Sequence, residues 1–220
     1  MTILLAIEGA DGVGKNSAAT RLCDELNALG RSAVMLSFPR YQSTVGGHTL
    51  GRYLAGTLEV PVSPKAAAVL YGLDRLESCE VIAEAASQHD VVIFDRYIAS
   101  NMAYQAARVP AAEADAMMGW VLSLETGAFA LPRPTLSIYL DTPWELAREL
   151  ILQKRQRSYT DRSYDEYEAD VALQRAVRTN YEAMVSGDML GPWQVVHASQ
   201  DGVMRAREAI TAEIRGYLDS

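Results

Sequence analysis

Five short apolar runs stand at wide intervals along the chain, and between them apolar residues recur every three or four positions. The runs are Ile3 to Ile7, Ala33 to Leu36, Val91 to Phe94, Thr135 to Asp141 and Trp193 to His197. Their lengths suit strands, and the first three lack polar alternation, as expected of strands buried on both faces of a parallel sheet. The intervening segments carry the helical period. Leu22, Leu26 and Leu29 recur until Gly30, a second helical stretch runs from Thr44 to about Gly56, and Pro64 opens a longer one through Leu76. The spacing predicts a further amphipathic helix from about Ala111 to Ala128, one N-capped by Thr142 ahead of Pro143, one beginning near Asp165, and a closing helix from Gly202 to Leu218. Strands alternating with helices predict an α/β fold, a doubly wound parallel sheet of five strands flanked by helices. With no repeat, low-complexity tract or Pro/Gly/Ser-rich linker, residues 1–220 read as a single domain.

Between the first strand and the first helix lies Gly9-Ala10-Asp11-Gly12-Val13-Gly14-Lys15. Glycines there permit backbone conformations closed to other residues and let main-chain N–H groups approach an anion, while the following helix offers its positive end. Lys15 supplies a mobile charge for β- and γ-phosphates. The order strand, glycine-rich loop, helix is the context that supports a phosphate-binding loop. One position departs from the pattern: the Ser or Thr that reaches Mg²⁺ is replaced by Asn16, with Ser17 behind it.

Composition narrows the partners. A net charge of −8 argues against a surface that holds nucleic acid, because such binding neutralises many phosphates. No apolar run approaches the length of a membrane span and no basic leader precedes the first strand, so a cytoplasmic protein is expected. Cys23 and Cys79 read as buried free thiols in helix-patterned segments, and His48, His89 and His197 are scattered, so neither a zinc site nor a histidine triad is suggested.

Polar residues gather where the strands end. Phe38-Pro39-Arg40-Tyr41 follows the second strand, and Asp95-Arg96-Tyr97 follows the third, the edge at which open α/β sheets bind ligands. A carboxylate at a central strand tip resembles a metal-organising group of phosphate-loop enzymes, and Arg96 is a fork suited to phosphate. Ser100, Asn101, Tyr104 and Gln105 follow at helical spacing. Tyr71 and Arg75 share a helix face, which suits either one planar ligand or a core tyrosine with an arginine at the rim. Lys154, Arg155, Arg157 and Arg162 form a basic stretch, expected at about residues 154–165 as a lid over polyphosphate. ATP with Mg²⁺ is the expected donor.

Taken together, Glu8 to Lys15, Phe38 to Tyr41, Leu73-Asp74-Arg75, Asp95-Arg96-Tyr97 with Ser100-Asn101 and Tyr104-Gln105, and the arginine-bearing lid before Tyr167-Glu168 resemble the bacterial thymidylate kinases, over essentially the whole chain. The resemblance implies transfer of the ATP γ-phosphoryl group to dTMP and a homodimer. By position it implies an ATP site at Gly9 to Ser17 with Arg155 and Arg157, and a catalytic set of Lys15, Arg40, Asp95, Arg96, Arg155 and Arg157. Asp11 would contact the sugar 3′-hydroxyl or the magnesium shell, which Glu168 would join. Arg96 and Tyr41 would hold the acceptor phosphate, and Arg40 the region between the phosphates. Tyr71, where the family usually has phenylalanine, would stack on thymine. Arg75 would meet its O4, Asn101 its other edge, and Tyr104 would lie against the sugar. Phe38, Ser100, Gln105, Arg162 and Tyr167 complete the substrate-binding set. Two other readings are a different nucleotide kinase on the same fold and a non-catalytic nucleotide switch. The Asn-Lys-x-Asp string of guanine-specific switches is missing from the chain.

Overall fold

The computed structural model describes residues 2–144, 146–147 and 171–219. The expected Arg155, Arg157, Arg162, Tyr167 and Glu168 lie outside these residues, as does the whole of the expected lid at 154–165.

Strand β1 (Ile3–Glu8) leads through the glycine-rich loop into α1 (Lys15–Ala28) and β2 (Ala33–Ser37). Helices α2 (Val45–Leu54), α3 (Pro64–Leu76) and α4 (Cys79–Gln88) then lead to β3 (Val91–Asp95). Beyond it come α5 (Ile98–Ala106), α6 (Ala114–Leu122), β4 (Leu136–Asp141), α7 (Val171–Ser186), β5 (Trp193–His197) and α8 (Arg207–Leu218). The five strands pair in parallel in the order β2-β3-β1-β4-β5. This is the doubly wound sheet that the alternating pattern predicts. A two-stranded hairpin, β6 (Ser199–Gln200) with β7 (Val203–Met204), takes up the start of the segment expected to be the closing helix.

Burial explains the strand runs. Leu5, Ile7, Val91, Val92, Ile93, Phe94 and Ile138 are all fully buried. A parallel crossover is right-handed, so helices on connections running in opposite directions along the sheet cover opposite faces. Accordingly α1 packs with α8, and α5 packs with α7, α3 and α6. Connections from β1 and β3 leave in opposite directions, which places a crevice at their carboxyl ends. Register brings Ile7 opposite Asp95, Ser37 opposite Asp95, and Glu8 opposite Tyr139, so Ser37, Glu8 and Asp95 meet at one edge.

The expected helix over residues 111–128 differs in detail. It begins with a 3-10 turn at Ala111–Glu113, continues as α6, and ends in a π-helical turn, Ser123–Ala128. That wider turn carries Glu125, fully buried, toward α3, and the Glu125 carbonyl accepts from Leu131 N–H at 2.9 Å. Cys23 and Cys79 are free as expected but only partly buried, not the buried thiols that the helical pattern predicts. No helix among the described residues is long and apolar enough to cross a membrane.

Candidate active site

The phosphate loop is built by backbone geometry. Gly9, Gly12 and Gly14 have φ of 147°, 79° and 90°. A Cβ at Gly9 would also lie 2.8 Å from the Leu140 carbonyl oxygen, so the loop passes hard against β4. Lys15, the first residue of α1, is 5% exposed and donates from Nζ to the Ala10 carbonyl at 2.6 Å, folding back over the loop. Burial, with Arg96 adding to it, lowers its pKa to about 7 against the pull of Asp11, Asp95 and Glu8. Asn16 Nδ2 donates to Asp95 Oδ2 at 2.9 Å, which ties the loop to the tip of β3. Ser17 continues α1 and is half-buried.

Arg96 stands immediately beyond β3 with a φ of 65°. A left-handed arginine costs about 1–3 kcal/mol and persists where its surroundings fix it. Its own N–H donates to the Ile7 carbonyl at 3.2 Å, and the next N–H, of Tyr97, donates to Glu8 Oε1 at 2.8 Å. Glu8 is fully buried and also accepts from the Ser100 and Tyr181 hydroxyls at 2.6 and 2.9 Å. The guanidinium so placed pairs with Asp11 and lies over the Tyr104 ring, 5.4 Å from its centroid. Gln174 of α7 donates to Asp11 Oδ2 at 2.9 Å and accepts from the Asp11 N–H at 3.3 Å. Burial alone would raise the Asp11 pKa, but Arg96 and then Lys15 override it and hold it at about 2. Burial, with Asp11 beside it, keeps the Tyr104 phenol protonated far above its ordinary range.

Beyond β2, Asp74 organises the Phe38-Pro39-Arg40-Tyr41 loop. It accepts the Arg40 N–H at 3.1 and 3.2 Å and also the Thr44 hydroxyl. Arg40 Nη1 donates to Ser78 Oγ at 3.1 Å. Tyr41 is 43% exposed, whereas Phe38 is buried against the Phe94 and Tyr97 rings. Tyr71, Tyr104 and Gln105 line a small cleft with Tyr53 and Arg108. Arg108 lies over the Tyr53 ring and donates to Gln105 Oε1 at 2.9 Å. Arg75 is not at the rim: it is 2% exposed and makes a two-pronged pair with Glu125, both bonds 2.6 Å. Asn101 Nδ2 donates to the same carboxylate at 2.7 Å.

Asp11, Lys15, Asp95, Arg96 and Tyr104 are thus brought together, while Phe38 and Ser100 turn into the core. Glu125, Gln174, Tyr53 and Arg108 were not singled out in the sequence. Gln174 did leave a signal, a polar residue in register with buried Val177 and Tyr181 on one face of α7. Glu125 left none, since its partners stand far away in the chain.

Among the described residues no three His, Cys, Asp or Glu side chains cluster as a self-sufficient metal site. Mg²⁺ bound together with phosphates asks for only one or two protein carboxylates. Asp95 Oδ1 and Asn16 Oδ1 accept no hydrogen bond among the described residues, so the donors at the β3 tip fit such an ion.

A comparison with protein families matches residues 7–210 to the thymidylate kinase model. A thymidylate kinase of Mycobacterium tuberculosis is 36% identical over 90% of this chain and 93% of its own length. One from Leifsonia xyli is 34% identical over 99% of this chain and 94% of its own length. In fold, a thymidylate kinase structure from Candida albicans matches with a TM-score of 0.76 at 22% identity, covering 99% of this chain and 91% of that one. With a phosphate loop joined through Asp11 and Arg96 to the tip of the adjacent strand, and relatives that match from end to end, the chain belongs to the thymidylate kinase family.

Proposed function

We propose that the Asp11–Arg96 crossing is where donor and acceptor phosphates meet, in an enzyme that transfers the γ-phosphoryl group of ATP to dTMP, giving dTDP and ADP. The observation that carries the residue assignment is that crossing itself, a loop carboxylate paired with a guanidinium held by a strained backbone. An oxygen of the dTMP phosphate attacks the γ-phosphorus, and the bond from that phosphorus to the bridging oxygen of the ADP leaving group breaks. The attacking oxygen is already anionic, so no base is needed; cations must offset repulsion between the two phosphates. Loop N–H groups and Lys15 hold the donor phosphates, Arg96 with Tyr41 holds the acceptor phosphate, and Arg40 bridges. Asp11 fixes the plane of Arg96 and faces the sugar, against which Tyr104 packs. Tyr71 stacks on thymine.

Mg²⁺, when bound, would neutralise charge on the donor phosphates. Asp95, Asn16 and Asp11 are its proposed holders, with Glu168. We also propose the rest of the expected machinery, which lies outside the described residues: a lid at 154–165 within a single domain, with Arg155, Arg157 and Arg162 on the phosphates and Tyr167 near the substrate. A homodimer is part of the same proposal. The test is ADP release from ATP and Mg²⁺ with dTMP, dUMP, dCMP, dGMP, AMP and thymidine as separate acceptors. Strong preference for dTMP is expected; preference for another acceptor would remove the thymine assignments of Tyr71, Arg75 and Asn101.

A further inference from the structure

Two side chains assigned to the base edge, Arg75 on α3 and Asn101 on α5, are both bound to one carboxylate that neither helix carries. Glu125 takes the Nε–H and an Nη2–H of Arg75, leaving Nη1 without a hydrogen-bond partner among the described residues. It also takes one Nδ2 hydrogen of Asn101, while the Ala68 carbonyl takes the other at 3.0 Å. The amide is therefore locked. Reversing it would turn Oδ1 toward a carboxylate and a carbonyl, two acceptors that offer it nothing. In the locked state Oδ1 is buried and accepts no hydrogen bond, on a residue 2% exposed. Such an oxygen has its acceptor capacity held open for a donor that the protein itself does not supply.

We propose that Glu125 is a positioning residue that sets the hydrogen-bonding polarity of the acceptor-base site, fixing a donor from Arg75 beside an acceptor from Asn101. This rests on the proposed base assignment of those two residues. A 4-keto pyrimidine with a protonated N3, as in thymine or uracil, presents the complementary acceptor and donor. Cytosine presents the reverse, a 4-amino donor beside an unprotonated N3. It meets a guanidinium that has no acceptor and an amide oxygen that cannot become a donor. The wide turn that brings Glu125 inward is secured by close packing: a Cβ on Gly72 would lie 2.8 Å from the Phe129 ring, just beyond that turn. A buried pair of this kind is weak evidence for stability in itself, and its worth here lies in orientation.

Glu125→Gln removes the second full acceptor and frees the Asn101 amide to reverse. Steady-state kinetics of the full chain should show kcat/KM for dTMP falling about tenfold or more, mostly through KM, the scale of one lost buried hydrogen bond. The dTMP-to-dCMP ratio should fall by a similar factor, while the dTMP-to-dUMP ratio stays unchanged because those bases share the same edge. A merely structural role would lower all three acceptors alike, and that result would overturn the proposal. A wild-type enzyme without preference for dTMP over dCMP would instead remove the base assignment beneath it. Should the variant not fold, side-chain amide exchange in the wild-type chain decides: Asn101 protons protected before dTMP is added support the lock, and freely exchanging ones refute it.

Discussion

At the scale of single residues, the site is governed by how burial and neighbouring charges divide between Lys15 and Asp11. Lys15 is held at about 7 in the folded chain, well below an ordinary lysine. Between that value and about 10.4 the unfolded chain binds the extra proton, so this group makes stability rise with pH across that window. Binding of ATP reverses the bias, since a polyphosphate favours the ammonium form. Near pH 8, ATP binding should therefore take up most of one proton, measured by calorimetry in two buffers of different ionisation enthalpy; Lys15→Met should abolish the uptake. Asp11 behaves in the opposite sense. With its pKa lowered from 3.8 to about 2, it contributes stability that is fully present above about pH 4 and lost as pH falls toward 2. The contribution is about 2 kcal/mol, and Asp11→Asn should lose that acid-sensitive component in urea titrations run at several pH values.

Among the elements, the seam between α2 and α3 holds the Phe38-Pro39-Arg40-Tyr41 loop in place. A Cβ on Gly46 would lie 2.5 Å from the Asp74 nitrogen and 2.9 Å from its Cα, so the two helices meet backbone to backbone. The Gly46 N–H donates to Glu77 Oε2 at 2.9 Å. Gly46→Ala should push α2 away and carry Asp74 off the Arg40 N–H, costing about 1–3 kcal/mol in a urea melt and raising KM for dTMP. Strands and most helices were legible in the sequence, because burial on one or two faces writes a period into the residues. The π-helical turn was not. Its cause is a tertiary requirement, Glu125 reaching Arg75, and local pattern carries no record of a partner on another helix. The same limit hid Gln174 as the brace of Asp11, and it hid the buried carboxylate partner of Arg75, whose spacing left it open between a ligand contact and a rim arginine.

For the whole molecule, the last helix is tied to the helix that follows the phosphate loop. Helix α8 closes on α1 through Thr211 Oγ1 donating to Glu25 Oε1 at 3.1 Å, and through the ion pairs Arg21–Glu208 and Arg215–Glu25. The proposed catalytic cations fall into three groups: Lys15 on the phosphate loop, Arg40 and Arg96 beyond β2 and β3, and the arginines of the proposed lid, which lie outside the described residues. If the lid supplies the third, Arg155→Ala with Arg157→Ala should lower turnover about a thousandfold, read from ADP release at saturating ATP and dTMP, and unchanged turnover would refute that role. The sheet order has a further consequence, for synthesis. Strand β1 leaves the ribosome ahead of both its neighbours, yet in the finished sheet it lies between β3 and β4. At roughly 5–20 residues per second, about 4–17 s separate the emergence of Glu8 from that of Val91, during which a nearly all-apolar strand has both hydrogen-bonding edges open. The nascent chain is therefore most adhesive over its first hundred residues, and a holding chaperone should engage it there and be released as β3, then β4, close the two edges.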